Sequence, residues 1–209
     1  MLKVVSDIYE AYDDRGLDGS DFAGEVRKRL GAEWFANIKR DRAADIGTVT
    51  HARCEAFLHG LELDEEGLAH ELVDKSANGF VRFHDWWTAS NLSVLHSELQ
   101  MVSESMQVGG TADIVAMDAN GSLVLVDLKT SKASKWWPYP EVFGQVAAYA
   151  EMFREQHRQE ITTLHIVRIG KEEADAGQTY TLTAHERDAG LKLFRAALAV
   201  YEAQKELKR

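Results

Sequence analysis

Gly110-Thr111-Ala112-Asp113-Ile114-Val115-Ala116-Met117-Asp118-Ala119-Asn120-Gly121-Ser122-Leu123-Val124-Leu125-Val126-Asp127-Leu128-Lys129 is the stretch on which the fold turns. Asn-Gly between two apolar runs is the strongest short-range hairpin signal. With Ala119-Asn120-Gly121 as the loop, Gly121 supplies the positive φ of a three-residue connection. Asp118 then faces Ser122, and Asp113 faces Asp127. Opposed residues of an antiparallel pair point to the same side, with Cβ atoms roughly 5 Å apart. Side chains alternate along a strand, so Lys129 shares the face of Asp127 while Leu128 points away. A slip of one residue would put the two aspartates on opposite faces.

Like charges directly opposite one another destabilise a sheet. The flanking residues, Ile114 to Ala116 and Leu123 to Val126, are apolar on both faces, so the hairpin is expected inside the protein. A buried charge there must be paired or must coordinate a metal. Two readings are open. One is a structural ion pair between an aspartate and Lys129. The other is a site for a hard divalent cation such as Mg²⁺ or Mn²⁺, held through oxygen ligands.

Further pieces lie up and down the chain. Gly47-Thr48-Val49-Thr50-His51-Ala52-Arg53-Cys54-Glu55 precedes the hairpin on an expected helix, and Glu98 lies on the strand before it. Gln145 and Tyr149 follow on a helix, four apart and therefore on one face. Each has an ordinary structural reading too: His51 as a polar helix residue, Glu55 as a surface carboxylate or a partner for His51, Glu98 as a half-exposed strand acid, Gln145 as an amide on a small apolar face, and Tyr149 as core. Taken together and in this order, the pieces closely resemble the PD-(D/E)xK nuclease superfamily, in particular its RecB-like exonuclease branch, across roughly residues 45 to 155.

The resemblance implies a metal-dependent deoxyribonuclease, an exonuclease acting in recombination, repair or phage DNA processing. It implies Asp113 and Asp127 as metal ligands, helped by the Leu128 carbonyl, with His51 as a further ligand. It implies catalytic positions at Asp113, Asp127, Lys129, Glu98, Gln145 and Tyr149. Lys129 would orient or activate the attacking water, and Gln145 and Tyr149 would contact the DNA backbone or support the lysine. The chemistry is consistent with these residue types: a phosphodiester is anionic, so a cation must neutralise it and acidify a bound water, and a lysine adds stabilisation where charge develops. The implied cofactor is Mg²⁺ or Mn²⁺. Relatives with an iron–sulfur cluster need four cysteines, and this chain has only Cys54. Two other readings are a nuclease-like module that binds DNA or protein without cutting, and a structure-specific endonuclease of the same fold.

With 45% hydrophobic and 28% charged residues, the 209-residue chain has the composition of a globular protein. Length makes one domain the default over 1–209, with a mainly helical part at 1–90 carrying His51 and a sheet core with flanking helices at 91–209. A lone cysteine excludes a disulfide framework. No apolar run approaches the roughly 20 residues of a membrane span, and a cytoplasmic location is expected (the host's, if phage-encoded). A net charge of −10 argues against a generic nucleic-acid binder. Local cationic runs remain: Arg27 to Arg29, Lys39 to Arg42, and Lys132 and Lys135 leading into Trp136-Trp137. Cations beside aromatics suit a single strand, so Lys132, Lys135, Trp136 and Trp137 are candidate nucleic-acid contacts, joined by Gln145 and Tyr149 as the resemblance implies; the Trp pair also reads as a hydrophobic loop anchor. The expected partner is DNA with a free end, together with a recombination or single-strand-binding protein.

The periodicity predicts helices over 20–30, 34–44, 45–58, 65–76 and 80–87, then strands over 92–103, 109–117 and 122–130. Pro140 opens a helix over 141–157. Strands over 161–169 and 179–183 and a closing helix over 185–207 complete the order. This predicts an α/β protein with a mixed central sheet flanked by helices and an N-terminal helical region, the order of the restriction-endonuclease-like fold.

Overall fold

The computed structural model describes residues 32–131, 138–170 and 177–207, with side chains from position 45. Chain contacts separate Met1–Ile46 from Gly47–Arg209, and the sheet lies in the second unit. In chain order the described elements are α1 (Ala32–Leu58), α2 (His70–Ser90), β1 (Ser93–Ser103), β2 (Val108–Met117), β3 (Leu123–Ser131), α3 (Pro140–His157), β4 (Thr163–Gly170), β5 (Gln178–Thr181) and α4 (Ala184–Glu206).

The five strands form one sheet in the order β1-β2-β3-β4-β5. Pairing is antiparallel except between β3 and β4, which run parallel and are joined through α3. The β2–β3 hairpin has the loop and register expected from Asn120-Gly121. Gly121 takes φ +81°, and Asp118 N–H donates to the Ser122 carbonyl at 2.9 Å. Asp118 Oδ1 accepts from Asn120 N–H and Ser122 N–H, both at 2.8 Å, and fixes the turn.

Helices cover the sheet on both faces. On one side Met101, Val115, Leu125, Leu164 and Ile166 pack with Val146, Ala150 and Phe153 of α3, and Leu191, Phe194 and Leu198 of α4 close over them. On the other, Ile114, Ala116, Val124, Val126, Leu128, Val167 and Ile169 meet Cys54 and Phe57 of α1 and Phe80, Phe83, Trp86 and Trp87 of α2. Helices α3 and α4 cross closely because glycine stands on both. A Cβ on Gly190 would lie 2.6 Å from the Phe143 carbonyl oxygen.

Several boundaries differ from the sequence reading, each for a local reason. Helix α1 runs unbroken from 32 to 58 where two helices were expected. Helix α2 is likewise one helix over 70–90. Gly79 reads as a break, yet it stays helical because Thr50 and Ile169 pack onto it; tertiary contact overrides propensity. The stretch before α2 is not helical, and Gly67 turns the chain there at φ +82°. Strand β5 ends at Thr181 because Thr183 caps α4. Its hydroxyl accepts from Glu186 N–H, and the Glu186 carboxylate accepts from Thr183 N–H, a complete capping box. The expected helix over 20–30 lies outside the described residues.

Candidate active site

Alternation along β3 puts Leu125 on the α3 side and Val124, Val126 and Leu128 on the α1/α2 side. Asp127 and Lys129 follow Leu125 in phase, so both face α3. Lys129 Nζ lies 2.7 Å from Asp127 Oδ2 and donates to Gln145 Oε1 of α3 at 3.1 Å. Gln145 Nε2 then donates to Tyr149 Oη at 2.8 Å. The contact with Asp127 Oδ2 is an ion pair without hydrogen-bond alignment, and that buried oxygen makes no hydrogen bond.

Asp113 departs from simple alternation. Ala112 and Val115, three apart, both pack on the α3 side, while Ile114 and Ala116 pack on the other. The phase of β2 therefore slips at Asp113. Strand β1 slips beside it. Ser97 meets His59 of α1 at 2.7 Å, while Leu99 packs on the α3 side. Ser97 pairs with Ile114 and Leu99 with Ala112, so Glu98 stands opposite Asp113 at the same slip. Glu98 has φ +46°, the left-handed region that a side chain enters only at a cost. The β2–β3 ladder ends at Ile114–Val126, one step short of the two aspartates. The expected ladder pair Asp113–Asp127 is replaced by a side-chain contact: Leu128 N–H donates to Asp113 Oδ2 at 2.6 Å.

His51 comes to this point from α1, with Nδ1 3.7 Å from Asp113 Oδ1. One ligand-capable atom each from His51, Glu98 and Asp113 lies within 4.8 Å of the others. Imidazole nitrogen with two carboxylate oxygens is a donor set that can hold a divalent cation. The electrostatics favour the same occupant. Burial raises the pKa of Asp113, against the pull of Leu128 N–H and Lys129. Burial and then the charge of Asp113 raise that of Glu98. Burial pushes Asp127 up to about 6 even though Lys129 opposes it, and Asp113 adds to the rise. Burial lowers the pKa of His51, with Glu98 opposing and Lys129 adding to the fall. Three acids made reluctant to ionise, beside a histidine kept neutral, form a site that a cation would relieve.

The structure thus brings together His51, Glu98 and Asp113, and beside them Asp127, Lys129, Gln145 and Tyr149. Asp127 is close enough to act electrostatically on His51, but its carboxylate is engaged by Lys129. Leu128 contributes its backbone N–H to Asp113. Lys132, Lys135, Trp136 and Trp137 lie outside the described residues. Cys54 is buried behind the site, and burial holds its thiol well above the usual range. Sequence reasoning missed the task of Gly110. A Cβ there would stand 2.7 Å from Tyr149 Cε1, so glycine is what seats the tyrosine ring. The signal was present as the paired Gly109-Gly110 ahead of the first acid.

A mixed five-stranded sheet with helices on both faces, and buried acids and a lysine where β2 and β3 part, defines a protein of the restriction-endonuclease-like fold. The sequence pattern of the PD-(D/E)XK nuclease superfamily matches residues 22–207, and the chain belongs to that superfamily of hydrolytic, divalent-metal-dependent nucleases. A crystal structure from Eubacterium rectale, of a protein provisionally named as an exonuclease, is similar at TM-score 0.51 and 15% identity. The match covers 83% of this chain and 76% of that one. The structure of SSO0001 matches at TM-score 0.32 and 13% identity, over 71% of this chain and 74% of the other. No curated protein matches this chain. Among the described residues no helix is long and apolar enough to cross a membrane.

Proposed function

We propose that this protein is a Mg²⁺- or Mn²⁺-dependent DNA exonuclease of the RecB-like branch, acting on DNA ends in recombination, repair or phage DNA processing. The observation that carries the reading is the meeting of His51, Glu98 and Asp113 within 4.8 Å, next to the Asp127–Lys129–Gln145 chain. His51, Glu98 and Asp113 would hold the metal, with Asp127 and the Leu128 carbonyl at its edge. When bound, the metal supplies charge neutralisation of the phosphodiester and a more acidic water.

The chain's own residues do the rest. Lys129 is half-buried, with Asp127 and Gln145 fixing its ammonium. There it can orient the attacking water and stabilise charge building on the phosphate oxygens. Gln145 spends its carbonyl on Lys129 and its amide on Tyr149, which makes it a support for the lysine rather than a free backbone contact. Tyr149 anchors that amide by accepting from it, and burial raises its phenol pKa. The name carried by the Eubacterium rectale protein favours the exonuclease reading, as does the motif order along this chain.

The test is a time course on end-labelled single- and double-stranded linear DNA with Mg²⁺, Mn²⁺ or chelator. Cleavage should need the metal and start from an end. Covalently closed circles should survive, and their digestion would move the assignment to an endonuclease. Asp113→Ala and Lys129→Ala should each fold and yet lose about a hundred- to a thousandfold in rate, the scale of removing a preorganised group from such a site. Either variant cutting at the native rate would overturn the mechanism.

A further inference from the structure

We propose that two glycine notches, Gly47 against β3 and Gly79 against α1, set the height of His51 over the sheet and so act as positioning residues for the metal site. The inference rests on the metal-site reading above and goes beyond it, to how a ligand carried on a separate helix is held in place.

Gly47 lies four residues before His51, on the same helix face. A Cβ there would stand 2.8 Å from Thr130 Oγ1 on β3. Thr130 is β-branched, directly follows Lys129, and has little rotamer freedom to retreat. Thr50, immediately before His51, is wholly buried. Its Cγ2 and Oγ1 would lie 2.9 and 3.2 Å from a Cβ on Gly79, with Ile169 Cγ2 at 3.3 Å. The turn from Gly47 to His51 is therefore clamped at two points, against the catalytic strand and against α2. His51 stands at the end of that turn, 3.7 Å from Asp113. Glycine inside a helix is unfavourable relative to alanine, so helices that asked nothing of positions 47 and 79 would gain from alanine there. Metal bonds tolerate displacements of only about 0.2 Å. A helix lifted by a few tenths of an ångström would keep its core contacts and still mis-set the imidazole.

Calorimetric titration of the full chain with Mn²⁺, without DNA, tests this. Wild-type protein should bind the ion, and His51→Ala should weaken it; absence of either effect sinks the metal-site reading itself, and this proposal with it. Given both, Gly47→Ala should weaken Mn²⁺ by about tenfold or more, as loss of a ligand's support does, while its helical circular dichroism stays native. Gly47→Ala combined with Thr130→Ala should recover the wild-type titration. Gly79→Ala should behave like Gly47→Ala, and Thr50→Ser, which removes Cγ2, should relieve it. Native Mn²⁺ affinity in Gly47→Ala overturns the proposal while leaving the metal site standing. So does a weakened affinity that Thr130→Ala does not restore. If Gly47→Ala fails to fold, the double variant decides: folding with native affinity supports the notch, and continued failure to fold overturns it.

Discussion

Asp127 is almost wholly out of water, and its carboxyl is pushed up to about 6 although a lysine touches it. An unfolded aspartate titrates near 3.9. The native state therefore binds this proton more tightly than the unfolded chain. Stability from this group is present below about pH 4 and is lost as pH climbs to about 6. Other groups overlap the window: Asp113 and Glu98 act in the same direction, and His51, whose pKa is lowered, acts in the opposite one. Asp127→Asn isolates the contribution, because asparagine copies the shape of the protonated acid. In chelator, the variant and wild type should melt together near pH 4. The variant should be more stable by about 2–3 kcal/mol above pH 6.5, since each pKa unit is worth about 1.4 kcal/mol. Thermal melts across that range check it, and a gap that does not change with pH would refute the burial argument. The same variant should be inactive, so stability and activity would separate at one residue.

At the scale of elements, the hairpin was legible because its information is local. Asn120-Gly121 fixes the loop, the loop fixes the register, and alternation then carries Asp127 and Lys129 to one face. The slip shared by Glu98 and Asp113 was not legible. It needs a left-handed glutamate on β1 and lost pairing beyond Ile114, and neither leaves a mark in composition or period. The continuity of α2 was also hidden, because Gly79 reads as a breaker until Thr50 is seen against it. The capping box at Thr183 could have been read from Thr-x-x-Glu and was passed over for a longer strand. Gly190→Ala would press a Cβ onto the Phe143 backbone, which cannot yield as a side chain can. Overpacking of this kind costs about 1–3 kcal/mol, or roughly 5 °C in Tm for a chain of this size. Gly110→Ala differs, because the obstacle is the Tyr149 ring. Moving that ring loosens Gln145 and then Lys129, so kcat should fall about tenfold, the lower end of what misplacing a catalytic group costs. KM and Tm should change little. Steady-state kinetics beside a melt separate the two glycines, and an equal loss of Tm in both would show that Tyr149 is only core.

On the scale of the Gly47–Arg209 unit, the proposed ligands come from three elements that share no local sequence: His51 from α1, Glu98 from β1 and Asp113 from β2. The unfolded chain separates them by 47 and 15 residues, so it cannot offer the same cluster, and a cation binding there selects the folded state. Binding to the native state alone adds RT ln(1 + [L]/Kd), about 2.7 kcal/mol when the ion stands at a hundred times its Kd. For a chain of this length that corresponds to roughly 5–10 °C in Tm. The gain should grow with pH, because ligation needs ionised carboxylates and the metal-free fold keeps their pKa values high. Melts with and without saturating Mn²⁺ should therefore diverge as pH rises and Asp113 and Glu98, both held above their ordinary values by burial, give up their protons. Asp113→Asn should abolish the shift at every pH. Lys129→Ala should keep it, because Lys129 is paired with Asp127 and stands outside the ligand trio. A Mn²⁺ shift retained by Asp113→Asn would place the ion elsewhere on the molecule. Loss of the shift in Lys129→Ala would instead mean that the lysine's hold on Asp127 is needed before the ion can bind.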